Sequence, residues 1–163
     1  ISWDATRGSA GFGHLLQVGA GSSVAGVADF TGDGAADVLF RIGPGDYVRW
    51  DVGLGGGGFA ALSSFGAFQP VAMGDLRGGT GVDVLALSPG RDLVIFDIEA
   101  NSSSYLLNMA PGFAVAGVGN IDGVGRADIL FRHEPSGALF ALTDGGWRDL
   151  RTRGGGWRVA GLG

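Results

Sequence analysis

Three stretches of the chain carry oxygen-bearing side chains at alternate positions of a short glycine-rich window. The fullest is Asp29-Phe30-Thr31-Gly32-Asp33-Gly34-Ala35-Ala36-Asp37, with Asp, Thr, Asp and Asp at positions 1, 3, 5 and 9. Alternate loop positions can converge on one point, and Ca²⁺ takes roughly six to eight oxygen ligands at about 2.3–2.6 Å. Gly34 at position 6 allows the tight bend, and the carbonyl of Ala35 at position 7 offers a backbone ligand. On this reading Asp29, Thr31, Asp33, Ala35 and Asp37 form the principal hard-cation site. The competing reading is that the same carboxylates only cap turns by accepting backbone N–H groups.

The other two windows are poorer in ligands. Asn120, Asp122 and Asp128 supply oxygen at positions 1, 3 and 9, but Val124 stands at position 5. A weaker site is expected there, with turn capping an equal reading. Between Asp75 and Asp83, positions 3 and 5 are Arg77 and Gly79. A cation at position 3 repels Ca²⁺ and can itself neutralise both carboxylates, so this window is expected to be metal-free. A different chemistry is concentrated late in the chain, where Trp147, Arg148, Arg151, Arg153, Trp157 and Arg158 lie together. Aromatic faces stack on sugar rings and Arg forks hold carboxylates or sulfates; the alternative is a solvated Arg edge that blocks aggregation.

Catalytic patterns are thin. His14 and His133, the two histidines, fall in different phases of the repeat, and no HExxH or nucleophile elbow occurs. Asp51 and Asp97 share one phase, which favours a structural role over an acid–base pair. No catalytic residue is assigned.

The elements that must position these loops follow from an internal repeat. VAGVADFTGDGAADVLFR begins at Val24, PVAMGDLRGGTGVDVLAL at Pro70 and VAGVGNIDGVGRADILFR at Val115, and a shortened copy closes the chain at Val159–Gly163. A spacing near 45 residues marks one supersecondary module per copy. Each copy reads as an apolar run, the acidic loop, a second run, a Pro/Gly turn and a third run. In the first copy these are Val24–Ala28, Asp29–Asp37, Val38–Arg41, Gly43–Gly45 and Tyr47–Val52. A weaker fourth run follows near Ala60–Phe65, Ser104–Met109 and Trp147–Leu150. Short apolar runs bounded by such turns read as strands. Four antiparallel strands per unit predict an all-β fold, a β-propeller of four blades. Ile1-Ser2-Trp3 aligns with a second strand and Val159–Gly163 with a first. The last blade is therefore expected to close by pairing N- and C-terminal strands, within one domain of repeat units about 1–29, 37–75, 83–120 and 128–163. The rival arrangement is a segment of a larger ring.

Composition sets the outer bounds. The chain has 163 residues, no Cys, 34 Gly and a net charge of −5. Thiolate metal sites and disulfides are excluded, nucleic acid is not an expected partner, and no apolar run reaches the length of a membrane helix. The basic residues are all Arg and the acids almost all Asp, the compact carboxylate that suits turns and oxygen-ligand loops.

The phrase at Val27–Arg41, its copy at Val118–Arg132 and the decayed copy at Met73–Leu87 resemble the FG-GAP/VCBS repeats, the integrin-α-like blades of bacterial surface and secreted proteins. The resemblance implies a propeller with Ca²⁺ held in loops between first and second strands. It also implies an extracellular or cell-surface protein that recognises a glycan or a protein at a propeller face, alone, fused to other domains or oligomeric. The alternative it leaves is a structural or accessory domain of a secreted hydrolase, with calcium only rigidifying loops.

Overall fold

The computed structural model describes residues 2–3, 12–13, 17–51, 54, 58–62 and 65–152. Its elements are strands. The first pair is β1 (Ser2–Trp3) and β2 (Phe12–Gly13). Next come β3 (Ser23–Ala28), β4 (Asp37–Gly43), β5 (Asp46–Trp50) and β6 (Phe59–Ala61). The second copy supplies β7 (Gln69–Gly74), β8 (Asp83–Leu87), β9 (Asp92–Asp97) and β10 (Ser102–Asn108). The third supplies β11 (Phe113–Gly119), β12 (Asp128–His133), β13 (Ala138–Thr143) and β14 (Gly146–Thr152). Each copy folds into one antiparallel sheet whose strands lie side by side in chain order. The first and second strands of every sheet carry a register shift at the same phase, between Val24 and Gly26, Pro70 and Ala72, and Val115 and Gly117. A residue inserted there bends the strand and increases its twist.

The expected closed propeller of four blades is not found. The described strands form three separate four-stranded sheets, none closed, and the two-stranded pair β1–β2. The arrangement is multi-sheet and sandwich-like. Its physical reason is that each sheet completes its ladder hydrogen bonds within one copy of the repeat. Neighbouring sheets meet mainly through side chains, so a repeat period specifies the module without specifying how many modules join or whether they close.

The inner strands β8 and β9 of the middle sheet are buried on both faces. Val84, Ala86, Val94, Phe96 and Ile98 pack toward the first sheet against Leu39, Tyr47, Phe65 and Phe30. Leu85, Leu93 and Ile95, the alternate positions, pack toward the third sheet against Ile129 and Phe131, with Leu76 and Met109 in the same cluster. Period-two alternation sends successive side chains to opposite faces, which is why β8 and β9 read as unbroken apolar runs.

The β4–β5, β8–β9 and β12–β13 turns each hold a residue in the left-handed region: Gly45 (φ 81°), Arg91 (φ 68°) and Gly137 (φ 70°). At Gly45 a Cβ would collide with the carbonyl of Gly66. Arg91 carries a side chain in this strained conformation, and its guanidinium donates to the carbonyls of Met109, Ala110 and Phe113, each at 2.8 Å. Those bonds offset the strain.

Candidate functional site: the interstrand acidic loops

The three loops join first to second strands and share a hydrogen-bonded scaffold. In each, the position-9 aspartate begins the second strand and reaches back beneath the loop. Asp37 Oδ2 accepts the N–H of Phe30 (3.0 Å), the N–H of Thr31 (3.1 Å) and the Thr31 hydroxyl (3.2 Å). Asp128 Oδ2 accepts the N–H of Ile121 (2.6 Å) and of Asp122 (3.0 Å). Asp83 Oδ2 accepts the N–H of Leu76 at 3.0 Å. All three are buried, and a buried carboxylate must be bonded in this way to be tolerated.

Position 1 holds the opposite end of the loop. Asp29 Oδ1 accepts the N–H of Gly32 (2.6 Å) and Asp33 (3.1 Å), and its Oδ2 accepts the N–H of Gly34 (2.8 Å). Asp75 Oδ1 takes Gly78 and Gly79 N–H at 2.7 and 3.0 Å. Asn120 Oδ1 takes Gly123 N–H at 2.8 Å. Gly32, Gly78 and Gly123 all have φ between 73° and 79°, the conformation that aims these amides inward and that glycine adopts without steric cost. Burial works to raise the pKa of Asp29. The N–H bonds from Gly34, Gly32, Asp33 and Thr31 together outweigh it and hold the carboxyl below its usual value.

Turn capping is therefore realised in all three loops at positions 1 and 9. The loops differ in what remains. Loop one keeps surplus oxygen: Asp33 is exposed and bonds Ala35 N–H through Oδ1 alone, and Asp37 Oδ1 is buried with no hydrogen-bond partner. In loop three Asp122 Oδ1 bonds Val124 N–H at 3.0 Å, and Arg126 at position 7 pairs with Asp144. In loop two Arg77 does not clamp Asp75 and Asp83, as its position suggested. Its guanidinium pairs with Asp97 at 3.2 Å. Burial pushes the Asp83 carboxyl above its usual value, helped by the charges of Asp97 and Asp75 and opposed by Leu76 N–H and Arg77.

The donor set of loop one suits calcium. Three carboxylates and a hydroxyl are hard-oxygen chemistry of the kind Ca²⁺ takes, and the unpartnered Asp37 Oδ1 is an acceptor in want of a positive partner. Among the described residues, no three acidic or imidazole side chains are grouped closely enough to hold an ion. The composition of the loop fits, and its carboxylates are engaged with backbone.

The loops are also tied to one another. Val82 N–H, at position 8 of loop two, donates to the Asp29 carbonyl at 2.8 Å, and Ala127 N–H, at position 8 of loop three, donates to the Asp75 carbonyl at 2.7 Å.

The late aromatic and basic cluster is only partly visible. Arg153, Trp157 and Arg158 lie outside the described residues, as does the Arg151 side chain on β14. Trp147 and Arg148 are adjacent on β14 and so point to opposite faces. Trp147 packs on Phe131 with ring centroids 5.2 Å apart. The two therefore do not converge on one ligand. Asp51 and Asp97 accept the N–H of Leu54 and Ala100, and His133 Nδ1 lies 2.7 Å from Ser136 Oγ with its ring against Phe113. His14 lies outside the described residues. Sequence reasoning missed the Arg77–Asp97 and Arg126–Asp144 pairs, whose only signal was an Arg in a loop and an Asp after the third strand. Comparison of the chain with protein-family models, with curated proteins and with solved structures finds no match in any of the three.

Proposed function

We propose that the chain is a non-catalytic, calcium-binding all-β module of an extracellular or cell-surface protein, carrying a recognition surface for a glycan or a protein. The observation that carries the calcium part is Asp37 Oδ1, a buried carboxylate oxygen without a donor at the base of the one loop that keeps Asp29, Thr31 and Asp33 as well. With the Ala35 carbonyl, these are the residues that would hold the ion, and the ion would supply the missing charge beneath the loop. The resemblance of the loop phrase to FG-GAP/VCBS repeats supports the same reading. Because the carboxylates are already bonded to backbone, binding has to compete with those bonds. An affinity like that of the weak extracellular calcium modules, on the order of 10⁻⁴–10⁻³ M, is therefore expected.

A second reading is that calcium only rigidifies a structural or accessory domain. The satisfied scaffold at positions 1 and 9 of every loop favours it, since the loops hold their shape by themselves. Thermal melts and a glycan array with and without EGTA separate the two. At a free calcium about 100 times Kd the linkage is about 2.7 kcal/mol, a rise of roughly 5–10 °C in Tm for a domain of this size. The rise should disappear in Asp33→Ala, whose side chain is exposed and whose loss leaves the scaffold intact. An unchanged rise in that variant excludes loop one as the site. Calcium-dependent glycan retention supports the recognition reading, and stabilisation alone supports the structural one.

A further inference from the structure

The outer edges of the three sheets are not protected alike. A strand edge presents unpaired N–H and C=O groups to any strand that can lie beside it, and natural sheets blunt such edges by shortness or by charge. The first sheet ends in β6, three residues long. The third ends in β14, whose sequence carries Arg148, Asp149 and Arg151. The middle sheet ends in β10, seven residues from Ser102 to Asn108 with no charged residue and no proline among them. Ser102, Ser103, Ser104 and Tyr105 are exposed, Tyr105 with 65% of its surface.

Charge is placed instead at the two ends of this strand, with opposite signs. The register sets Ser102 beside Asp97 and Asn108 beside Asp92. Both carboxylates are engaged within the sheet, Asp97 by Arg77 at 3.2 Å and Asp92 by the Asn108 side-chain amide at 2.8 Å. Glu99 is exposed in the hairpin that precedes Ser102. The Arg91 guanidinium is bound to carbonyls just beyond Asn108. Among the described residues neither has a counter-charge.

We propose that β10 is a homodimerisation edge, pairing antiparallel with β10 of a second copy about a twofold axis near Tyr105. A strand with an acid at one end and a base at the other is complementary to itself only in that direction, which brings Glu99 of each copy to the Arg91 end of the other. The absence of charge along the strand itself leaves nothing to repel an identical partner. The register that uses the whole strand sets Tyr105 opposite its own copy, an aromatic cross-strand pair. The two middle sheets then run on as one. Edge pairing alone buries less than a standard interface and belongs with the transient ones, so a Kd on the order of 10⁻⁵–10⁻⁴ M is expected. The inference stands apart from the calcium reading.

The full chain is followed by sedimentation velocity in EDTA from about 10 μM to about 1 mM, which brackets that Kd. Tyr105→Lys, at an exposed position, should leave the unfolding midpoint unchanged and weaken association at least about tenfold, by setting like charges opposite each other. Tyr105→Glu should do the same. An equimolar mixture of the two variants should recover association as a heterodimer, which a folding defect would not allow. Glu99→Lys should weaken association roughly two- to fivefold, the modest effect of an exposed ion pair. A wild-type chain that stays monomeric at about 1 mM overturns the proposal. A dimer that Tyr105→Lys leaves intact also overturns it and assigns the contact to another surface. So does a mixture that fails to recover what both variants lose.

Discussion

Loops one and two have the same length, the same glycine at position 4 and the same aspartates at positions 1 and 9, yet their charges are balanced in opposite ways. Loop one gathers three carboxylates with no side-chain cation at its tip. Backbone amides and the Thr31 hydroxyl carry the load, and one buried oxygen is left without a donor. Loop two has fewer carboxylates, spends its Arg77 on Asp97 at the end of the third strand, and leaves Asp83 under strain from burial. The repeat thus separates two tasks that a single loop would confuse. Positions 1 and 9 shape the turn, and on the proposed calcium reading positions 3 and 5 decide whether the turn can hold an ion.

The largest test of this division is at position 9. Asp37→Ala strips the acceptor from two backbone amides and a hydroxyl beneath a buried loop. It should cost about 3 kcal/mol, since each buried donor left unpaired costs roughly 1–3 kcal/mol, read from the urea midpoint. Asp83→Asn keeps an acceptor for Leu76 N–H and removes a disfavoured charge, so it should be neutral or stabilising at neutral pH. Equal losses at the two positions would break the comparison.

A graft of the tip chemistry should have a middle-sized effect. Gly79 is the one tip glycine in loop two with room for a side chain and a backbone outside the left-handed region. Arg77→Thr with Gly79→Asp therefore rebuilds positions 3 and 5 of loop one on the scaffold of loop two. The double variant should gain a second calcium-dependent increment of about 1–2 kcal/mol, measured as an added rise in Tm at saturating calcium. No added rise would mean that positions 3 and 5 do not decide binding.

The smallest effect is a pair of opposite pH slopes. Asp29 has its folded pKa below the unfolded value of 3.8. Its contribution is present above that value and is lost as pH falls through the folded pKa. Asp83 has its folded pKa above 3.8, so the folded state binds the extra proton and stability declines as pH rises from 3.8 through the raised value. Urea midpoints between about pH 2 and 7 should show Asp29→Asn flattening the acid limb and Asp83→Asn flattening the decline above it. Two flattened limbs of the same sign would refute the assignment.

The strands were legible in the sequence because their side chains announce themselves locally. Val24–Ala28, Leu93–Ile98 and Ala138–Leu142 lie within or within one residue of β3, β9 and β13. The closed four-bladed ring expected from the repeat is not what the described strands form, because closure depends on contacts between distant copies that no local pattern encodes. The acidic loops were found by spacing alone, but spacing could not tell a ligand from a cap, since both uses require an oxygen at positions 1 and 9. By its place in the sequence, Arg77 reads as a neutraliser of its own loop. Its actual partner, Asp97, sits across the sheet at a distance set by the β8–β9 pairing, which is tertiary information.

The carbonyls of Asp29 and Asp75, held by amides from the following copies, have a dynamic consequence. Val82 and Ala127 lie outside any strand, yet their N–H groups can be released to solvent only when two adjacent sheets part. Their hydrogen exchange therefore reports the opening of a seam and not the fraying of a loop. In a chain of modules that interact with nearest neighbours, these two amides divide cooperative unfolding of the whole stack from release of one sheet at a time.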